Sequence, residues 1–351
     1  MDDRALDELQ VIVPNLHWRY SGVTATNRMI APLLARLLST AWLGRDAPDA
    51  VARLSFRDLL RLRFRRSGAA VIWHARRNNE MLAGLLLKWL GWPLALVFTS
   101  AAQRHHTWVT RFLIARMDGV IAASEAAASY LARAATVIPH GIDTGHFAPA
   151  SDREAAYAAA GLPGKYAVGC FGRVRAQKGT DIFVAAMCRL LPKYPDFTAI
   201  VIGPVTLEQR AFDAALKERV KSAGLSERVR FLGELPADEI PPWHQRLLIY
   251  AFTSRNEGFG LTLLEATASG AALVATRAGA AEQVVREGET GFLVAPGDAD
   301  ALANAIEKLM RDPARAAEMG RKGRARAAAQ FGIDAEAEKI AAFYRQVRQV
   351  S

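Results

Sequence analysis

The sequence predicts an α/β protein in two domains, each a parallel sheet with crossover helices. Three observations predict it. The chain has 351 residues, more than one ordinary hydrophobic core organises. Short apolar runs alternate with amphipathic helical patterns along its length, the order that parallel sheets impose. Between Pro139 and Asp152 the alternation stops for two prolines, two glycines and two acids, which reads as a linker. The expected domains are residues 1–148 and 149–333.

In the first domain, strands are expected over residues 9–13, 70–74, 94–99, 119–122 and 136–138. Helical spacing fits residues 25–38, 79–90, 107–116 and 125–133. In the second, strands are expected over residues 167–171, 199–202, 229–232, 248–252, 272–275 and 292–294, with helices between. Each is a short apolar run bounded by turn-forming residues. An amphipathic helix over 334–347 ends the chain.

Composition narrows the class. With 51% apolar residues, a full core is available. Cys170 falls in an expected strand and Cys188 in an expected helix, so both read as buried reduced thiols of a cytosolic protein. The first ten residues carry four acids and no apolar run, the wrong start for an export signal. The apolar stretch 82–98 is broken by Lys88, Gly91 and Pro93 and does not suit a membrane span. Residues 1–150 hold 18 Lys and Arg against 11 Asp and Glu, and 17 of those 18 are Arg. Such a half suits an anionic partner, whether membrane surface, lipid phosphate or nucleic acid, or reflects ordinary usage in an Ala- and Arg-rich, GC-biased proteome. No nucleic-acid-binding motif accompanies the charge, so no nucleic acid is expected.

Two motifs carry chemistry. Glu257-Gly258-Phe259-Gly260-Leu261-Thr262-Leu263-Leu264-Glu265 places two carboxylates around a glycine-flanked helix start. Helix-start amides are free to bind an anion, and carboxylates grip hydroxyls. Phosphate and sugar at one helix end describe a nucleotide-sugar site. Upstream, the expected strand 167–171 runs into Gly172-Arg173-Val174-Arg175-Ala176-Gln177-Lys178-Gly179. That puts Arg173 and Lys178 at a strand's carboxyl end, where open α/β sheets bind ligands. A guanidinium fork beside a mobile ammonium suits a diphosphate.

With Ile138-Pro139-His140-Gly141-Ile142-Asp143 and Gly288-Glu289-Thr290-Gly291-Phe292-Leu293-Val294, these motifs resemble, in order, the retaining GT-B glycosyltransferases. That large family includes sucrose, trehalose and bacterial lipopolysaccharide transferases. The stretch Pro14–Thr24 is similar to lipopolysaccharide core mannosyltransferases. The resemblance implies two Rossmann-like domains facing across a cleft, with the terminal helix returning to the first. It implies transfer with retention from a nucleotide sugar, GDP-mannose being the best match, to a Kdo–lipid A core acceptor. The enzyme would be cytoplasmic and peripherally bound to the inner membrane, with no cofactor. Glu257 would hold the donor sugar and Glu265 the ribose. The amides of Gly258, Phe259, Gly260 and Leu261 would face phosphates and sugar, and Gly22 would give close backbone approach.

Other readings stay open. Many relatives place a histidine after a first-domain strand, and His74 or the pair His105–His106 could be its counterpart. His74 is favoured for the reaction centre, and Arg104, His105 and His106 for the acceptor. No metal cluster stands out, since Asp298-Ala299-Asp300 reads as a helix cap. The run 56–66, basic and interleaved with large apolar residues, fits an interfacial segment or a packed surface helix. Rival functions are a soluble transferase acting on a small sugar or phosphosugar, a non-catalytic scaffold, and a dehydrogenase. The last lacks a G-x-G-x-x-G after the first strand.

Overall fold

The computed structural model describes residues 1–18 and 22–350. It forms two compact units. The first comprises Met1–His140 with the stretch that begins at Ile333. Its elements run α1 (Asp3–Glu8), β1 (Val11–Asn15), α2 (Gly22–Leu37), β2 (Thr40–Gly44), β3 (Ala52–Leu54) and α3 (Phe56–Leu62). Then come β4 (Val71–Ala75), α4 (Asn78–Trp89), β5 (Leu94–Ser100), α5 (Trp108–Ala115), β6 (Gly119–Ala122), α6 (Glu125–Ser129) and β7 (Thr136–Val137).

The second unit is Gly141–Gly332. It runs α7 (Arg153–Ala158), β8 (Tyr166–Phe171), α8 (Thr180–Leu190), β9 (Phe197–Ile202), α9 (Arg210–Ser222), β10 (Val229–Gly233) and α10 (Ile240–Arg246). β11 (Leu247–Phe252), α11 (Leu261–Ala268), β12 (Ala272–Thr276), α12 (Ala281–Val284), β13 (Gly291–Val294), α13 (Ala299–Arg311) and α14 (Pro313–Gln330) follow. The last helix, α15 (Ile333–Val350), belongs to the first unit.

The first sheet has strand order β3-β2-β1-β4-β5-β6-β7 and the second β10-β9-β8-β11-β12-β13. Every pairing is parallel. Helices cover both faces, so β1, β4, β5 and β11 are buried along their whole length. In the first unit, Leu6, Leu59, Leu62, Met81, Leu113 and Ile114 from α1, α3, α4 and α5 fill one face. Ile30 and Leu34 of α2 fill the other with Ile340, Phe343 and Tyr344 of α15. The docking of α15 is tight: a Cβ at Gly119 would lie 2.8 Å from Phe343 and Val347. Arg348 Nε also donates to the Ala70 carbonyl at 2.9 Å.

Helix starts follow side-chain chemistry. Ser55 and Asp58 form a capping box on α3, and Asp152 and Asp298 cap α7 and α13. Asp312 caps α14 with Pro313 in its first turn.

All six strands expected in the second domain are present. In the first sheet β2 and β3 were not anticipated, nor was α1. β2 follows α2 after a two-residue turn, and β3 has three residues, too few for a pattern to show. The expected helix 125–133 ends at Ser129. Cys188 is half-buried rather than buried.

The run 56–66 is helical only to Leu62, and its basic residues are partly engaged. Arg61 pairs with Asp3 and Asp58, and Arg65 donates to the carbonyls of Leu9 at 3.0 Å and Asp7 at 2.6 Å. Those two arginines fasten α1 to the unit. Among the described residues no helix is long and apolar enough to cross a membrane.

Candidate functional site

In the second sheet, β8 and β11 lie side by side. The chain leaves β8 through α8 toward β9 on one side, and leaves β11 through α11 toward β12 on the other. The two helices therefore diverge, and a crevice opens beyond the strand ends. Open α/β sheets bind ligands at this kind of switch point. Both sequence motifs lie there.

The loop after β8 is shaped by contact with the loop after β11. Val174 is buried and its amide donates to Pro204. A single 3-10 turn, Ala176–Lys178, leads to Gly179 at φ +69°. A Cβ there would lie 1.9 Å from the Thr253 carbonyl oxygen, so only glycine allows the approach. Thr253 Oγ1 donates to the Lys178 carbonyl at 2.8 Å, and the Arg255 amide to Gln177 at 2.8 Å. The Arg255 guanidinium makes two 2.7 Å bonds to Asp181, holding that carboxyl below its usual range.

This lacing brings Lys178 and Glu257, 79 residues apart, into an ion pair. Glu257 also accepts from the Gly258 amide at 3.1 Å and lies 3.4 Å from Ser254 Oγ. Both side chains keep partial exposure. Arg173 is exposed, with no side-chain partner among the described residues.

Gly260 caps α11 at φ +94°, where a Cβ would meet the Phe252 ring at 2.7 Å. Phe259 is buried, and its carbonyl accepts from the Ala280 amide at 2.8 Å. The loop is thus pinned from behind, leaving the first-turn amides of α11, from Leu261 onward, at the crevice end. Glu265 lies on the next turn, with Oε2 3.3 Å from His244 Nε2. His244, on α10, is fully buried among Phe147, Phe171 and Tyr250. Sequence reasoning missed it; a lone histidine in a short helix gives no sign of a carboxylate 21 residues on. Cys170 is the last residue but one of β8, and burial pushes its thiol up to about 11.

The first-unit candidates are scattered. Gly22 opens α2, and a Cβ there would meet nothing within 4 Å. The fold itself therefore does not demand glycine at that position. Arg19, Tyr20 and Ser21, the rest of the expected loop, lie outside the described residues. His74, the histidine favoured for the reaction centre, is the last residue but one of β4. Its ring is buried, with Nε2 2.6 Å from Thr99 Oγ1 and Nδ1 2.5 Å from Tyr344 Oη. One nitrogen is bonded to β5 and the other to α15, and burial holds the imidazolium pKa well below 6.5. Arg104 and His105 are exposed on the loop before α5, where His105 meets the Tyr130 ring edge-on. His106 is half-buried, 3.4 Å from Ser100 Oγ, and its pKa is lowered by burial and then by Arg104.

A cluster the sequence did not reveal lies at the first sheet's own switch point, between β1 and β4. Arg77 donates to Asn15 Oδ1 at 2.9 Å, Thr24 Oγ1 at 2.8 Å and Glu80 Oε1 at 2.8 Å. The other Glu80 oxygen accepts from the Arg76 amide at 2.8 Å. The signal available was Arg76-Arg77-Asn78-Asn79-Glu80 directly after a strand. Among the described residues, no group of three or more His, Cys, Asp or Glu is placed to hold a metal ion.

Known proteins resemble this chain in sequence and in fold. A family model described as glycosyl transferases group 1 matches residues 152–326. Over 347 residues the chain is 48% identical to a lipopolysaccharide core biosynthesis mannosyltransferase of Rhizobium leguminosarum bv. viciae, covering 97% of each. It is 32% identical over 316 residues to a GDP-mannose-dependent alpha-(1-6)-phosphatidylinositol monomannoside mannosyltransferase of Mycolicibacterium smegmatis, covering 86% of this chain and 75% of that one. In three dimensions it matches Anabaena HepE, solved with UDP, at TM-score 0.83 and 22% identity, over 96% of this chain and all of that one. That likeness concerns the fold, which is GT-B. With this fold, a charged switch point in its second sheet and a relative nearly half identical along its length, the chain belongs to the group 1 glycosyl transferases.

Proposed function

We propose that this glycosyltransferase moves mannose from GDP-mannose onto a lipopolysaccharide core acceptor built on Kdo–lipid A, with retention and without a metal. The single observation that carries the donor half is the joining of Lys178 and Glu257 in front of the α11 amides. One carboxylate and two cations at a helix start match a sugar linked to a diphosphate. The acceptor and the sugar are supported by the name of the Rhizobium relative, and the guanine nucleotide by that of the Mycolicibacterium one.

In this reading the donor displaces the Lys178–Glu257 contact. Lys178 and Arg173 take the diphosphate, and Glu257 turns to the sugar hydroxyls. The amides of Gly258, Phe259, Gly260 and Leu261 face the phosphates and sugar, and Glu265, steadied by His244, holds the ribose. The bond from the anomeric carbon to the diphosphate oxygen breaks with its electron pair on that oxygen. The acceptor hydroxyl bonds the same carbon on the same face, and its proton passes to the departing oxygen. No obligate protein base is needed. Charge growing on the diphosphate is stabilised by Arg173, Lys178 and the helix amides already in place. Gly22 allows close approach at the start of α2, and Arg104, His105 and His106 face the acceptor. The enzyme works at the cytoplasmic face of the inner membrane, as a peripheral protein.

The test is a panel of nucleotide sugars against a mannose-deficient core acceptor, with the anomeric configuration of the product read by NMR. GDP-mannose should be turned over and give the α-anomer. Preference for a uridine donor, or inversion, would overturn the donor or the stereochemical assignment separately.

A further inference from the structure

The first unit carries an apolar surface that its core does not use. Ten of the thirteen large apolar side chains exposed among the described residues lie on α3, α4 and α5 or next to their ends. These helices cover the same face of the sheet. They are neighbours: Trp92, just after α4, donates to the Leu59 carbonyl of α3 at 2.7 Å, and Asn78 of α4 to Thr110 of α5 at 2.8 Å.

The exposed residues follow helical spacing on the outer side. Leu82, Leu86 and Trp89 on α4 form a stripe with Leu90 just past its end, while Met81 and Gly84 face the core, so this helix is apolar on two sides. Trp89 is 83% exposed. Phe56, Leu60 and Phe64 repeat the pattern every four residues along α3 and past its end, and Trp108 and Phe112 do so on α5. A water-facing layer normally carries polar residues there, and an exposed apolar patch of this breadth marks an interaction surface.

Charge identifies the partner. The three helices contain two acids, Asp58 and Glu80, both buried in internal contacts. Arg57 and Arg111 are exposed among the apolar stripes. Arg116 stacks 3.3 Å from the Phe112 ring, and Arg63 lies 5.2 Å from Trp92 and 5.7 Å from Phe64. Aromatic and leucine side chains with arginines among them suit the boundary between acyl chains and anionic headgroups. A second copy would bring the same positive face against itself, which charge opposes.

We infer that the outer face of α3–α4–α5 is the membrane-docking surface, its occupant an anionic phospholipid bilayer entered by Trp89, Leu86 and Phe112. The inference rests on the lipid-linked acceptor proposed above. It extends the basic run 56–66 to α4 and α5 and leaves out Arg61 and Arg65, which are engaged by the first ten residues.

The test is flotation of the full chain with phosphatidylcholine vesicles, with and without phosphatidylglycerol, and no acceptor present. The wild type should float with the anionic vesicles and less with neutral ones. Leu86→Ser/Trp89→Ser/Phe112→Ser should lower partitioning by on the order of a hundredfold or more. Arg57→Ser/Arg111→Ser should lower it by roughly tenfold or more on anionic vesicles only. Both variants should keep the far-UV spectrum, nucleotide binding and turnover of a delipidated acceptor. Loss of that turnover in the wild type would fail the acceptor reading and leave the docking result standing. Undiminished flotation of the triple variant would overturn the docking face. So would a wild type that is dimeric without lipid and a triple variant that is monomeric.

Discussion

The two sheets have equivalent switch points, and the chain treats them in opposite ways. Between β8 and β11 the charged groups stay within reach of solvent: the side chains of Lys178 and Glu257 are 24% and 18% exposed, and Arg173 is exposed. Between β1 and β4 they are closed in: Glu80 is wholly buried and Arg77 is 13% exposed, bonded to Asn15, Thr24 and Glu80. A carboxylate in the first setting can change partners when a ligand arrives. One in the second cannot leave its arginine without becoming a buried unpaired charge. One switch point is built for exchange and the other for permanence.

The sharpest way to break this comparison is at the exchangeable end. Lys178→Ala and Arg173→Ala should each lower turnover by roughly two to four orders of magnitude at saturating donor, with little loss of stability. Near wild-type turnover in either variant would remove its diphosphate role. At the permanent end, Arg77→Ala should cost about 3–5 kcal/mol of unfolding free energy, because Glu80 stays behind without its partner. Denaturant titration measures it. A variant that keeps its stability but loses activity would move Arg77 into the ligand site.

A smaller effect concerns His74. Its pKa is depressed by burial, so the folded state refuses a proton that the unfolded chain accepts below about 6.5. Stability should therefore be complete above that pH and decline as pH falls below it. His74→Gln should flatten that part of the pH dependence, seen in urea midpoints between about pH 7.5 and 5. An unchanged slope would assign the acid sensitivity elsewhere. The smallest expected effect is none: turnover should persist in excess EDTA, since Lys178, Arg173 and the α11 amides supply the positive charge. Loss under chelation that Mg²⁺ or Mn²⁺ restores would end the metal-free reading.

What the sequence made legible follows from the range of the interactions involved. The strands β8, β9, β11 and β12 are apolar runs bounded by turn residues, so local pattern suffices. The positions of Arg173, Lys178 and Glu257 at strand ends follow from those strands. That Lys178 and Glu257 touch does not, because Gly179 must first bring two loops together over Thr253. The surroundings of His74 were hidden for the complementary reason. A histidine at a strand end looks available until a helix 270 residues later supplies Tyr344. The engagement of Arg61 and Arg65 was hidden because their acceptors, at Asp3, Asp7 and Leu9, belong to a helix and turn that the sequence reading did not expect.

The backbone join between Ile142 and Phe331 has a consequence for how this enzyme can be rebuilt. The Ile142 amide donates to the Phe331 carbonyl at 2.8 Å, and Ile142 bridges Gly332 in parallel. The chain thus enters and leaves the second unit side by side. In genetic terms that unit is a cassette inserted into the first, with its two splice points already stapled together. Exchanging residues 141–332 as one block would reconnect ends held at the same spacing, so the proposed donor site can be recombined as a module while the host half keeps its own closing helix.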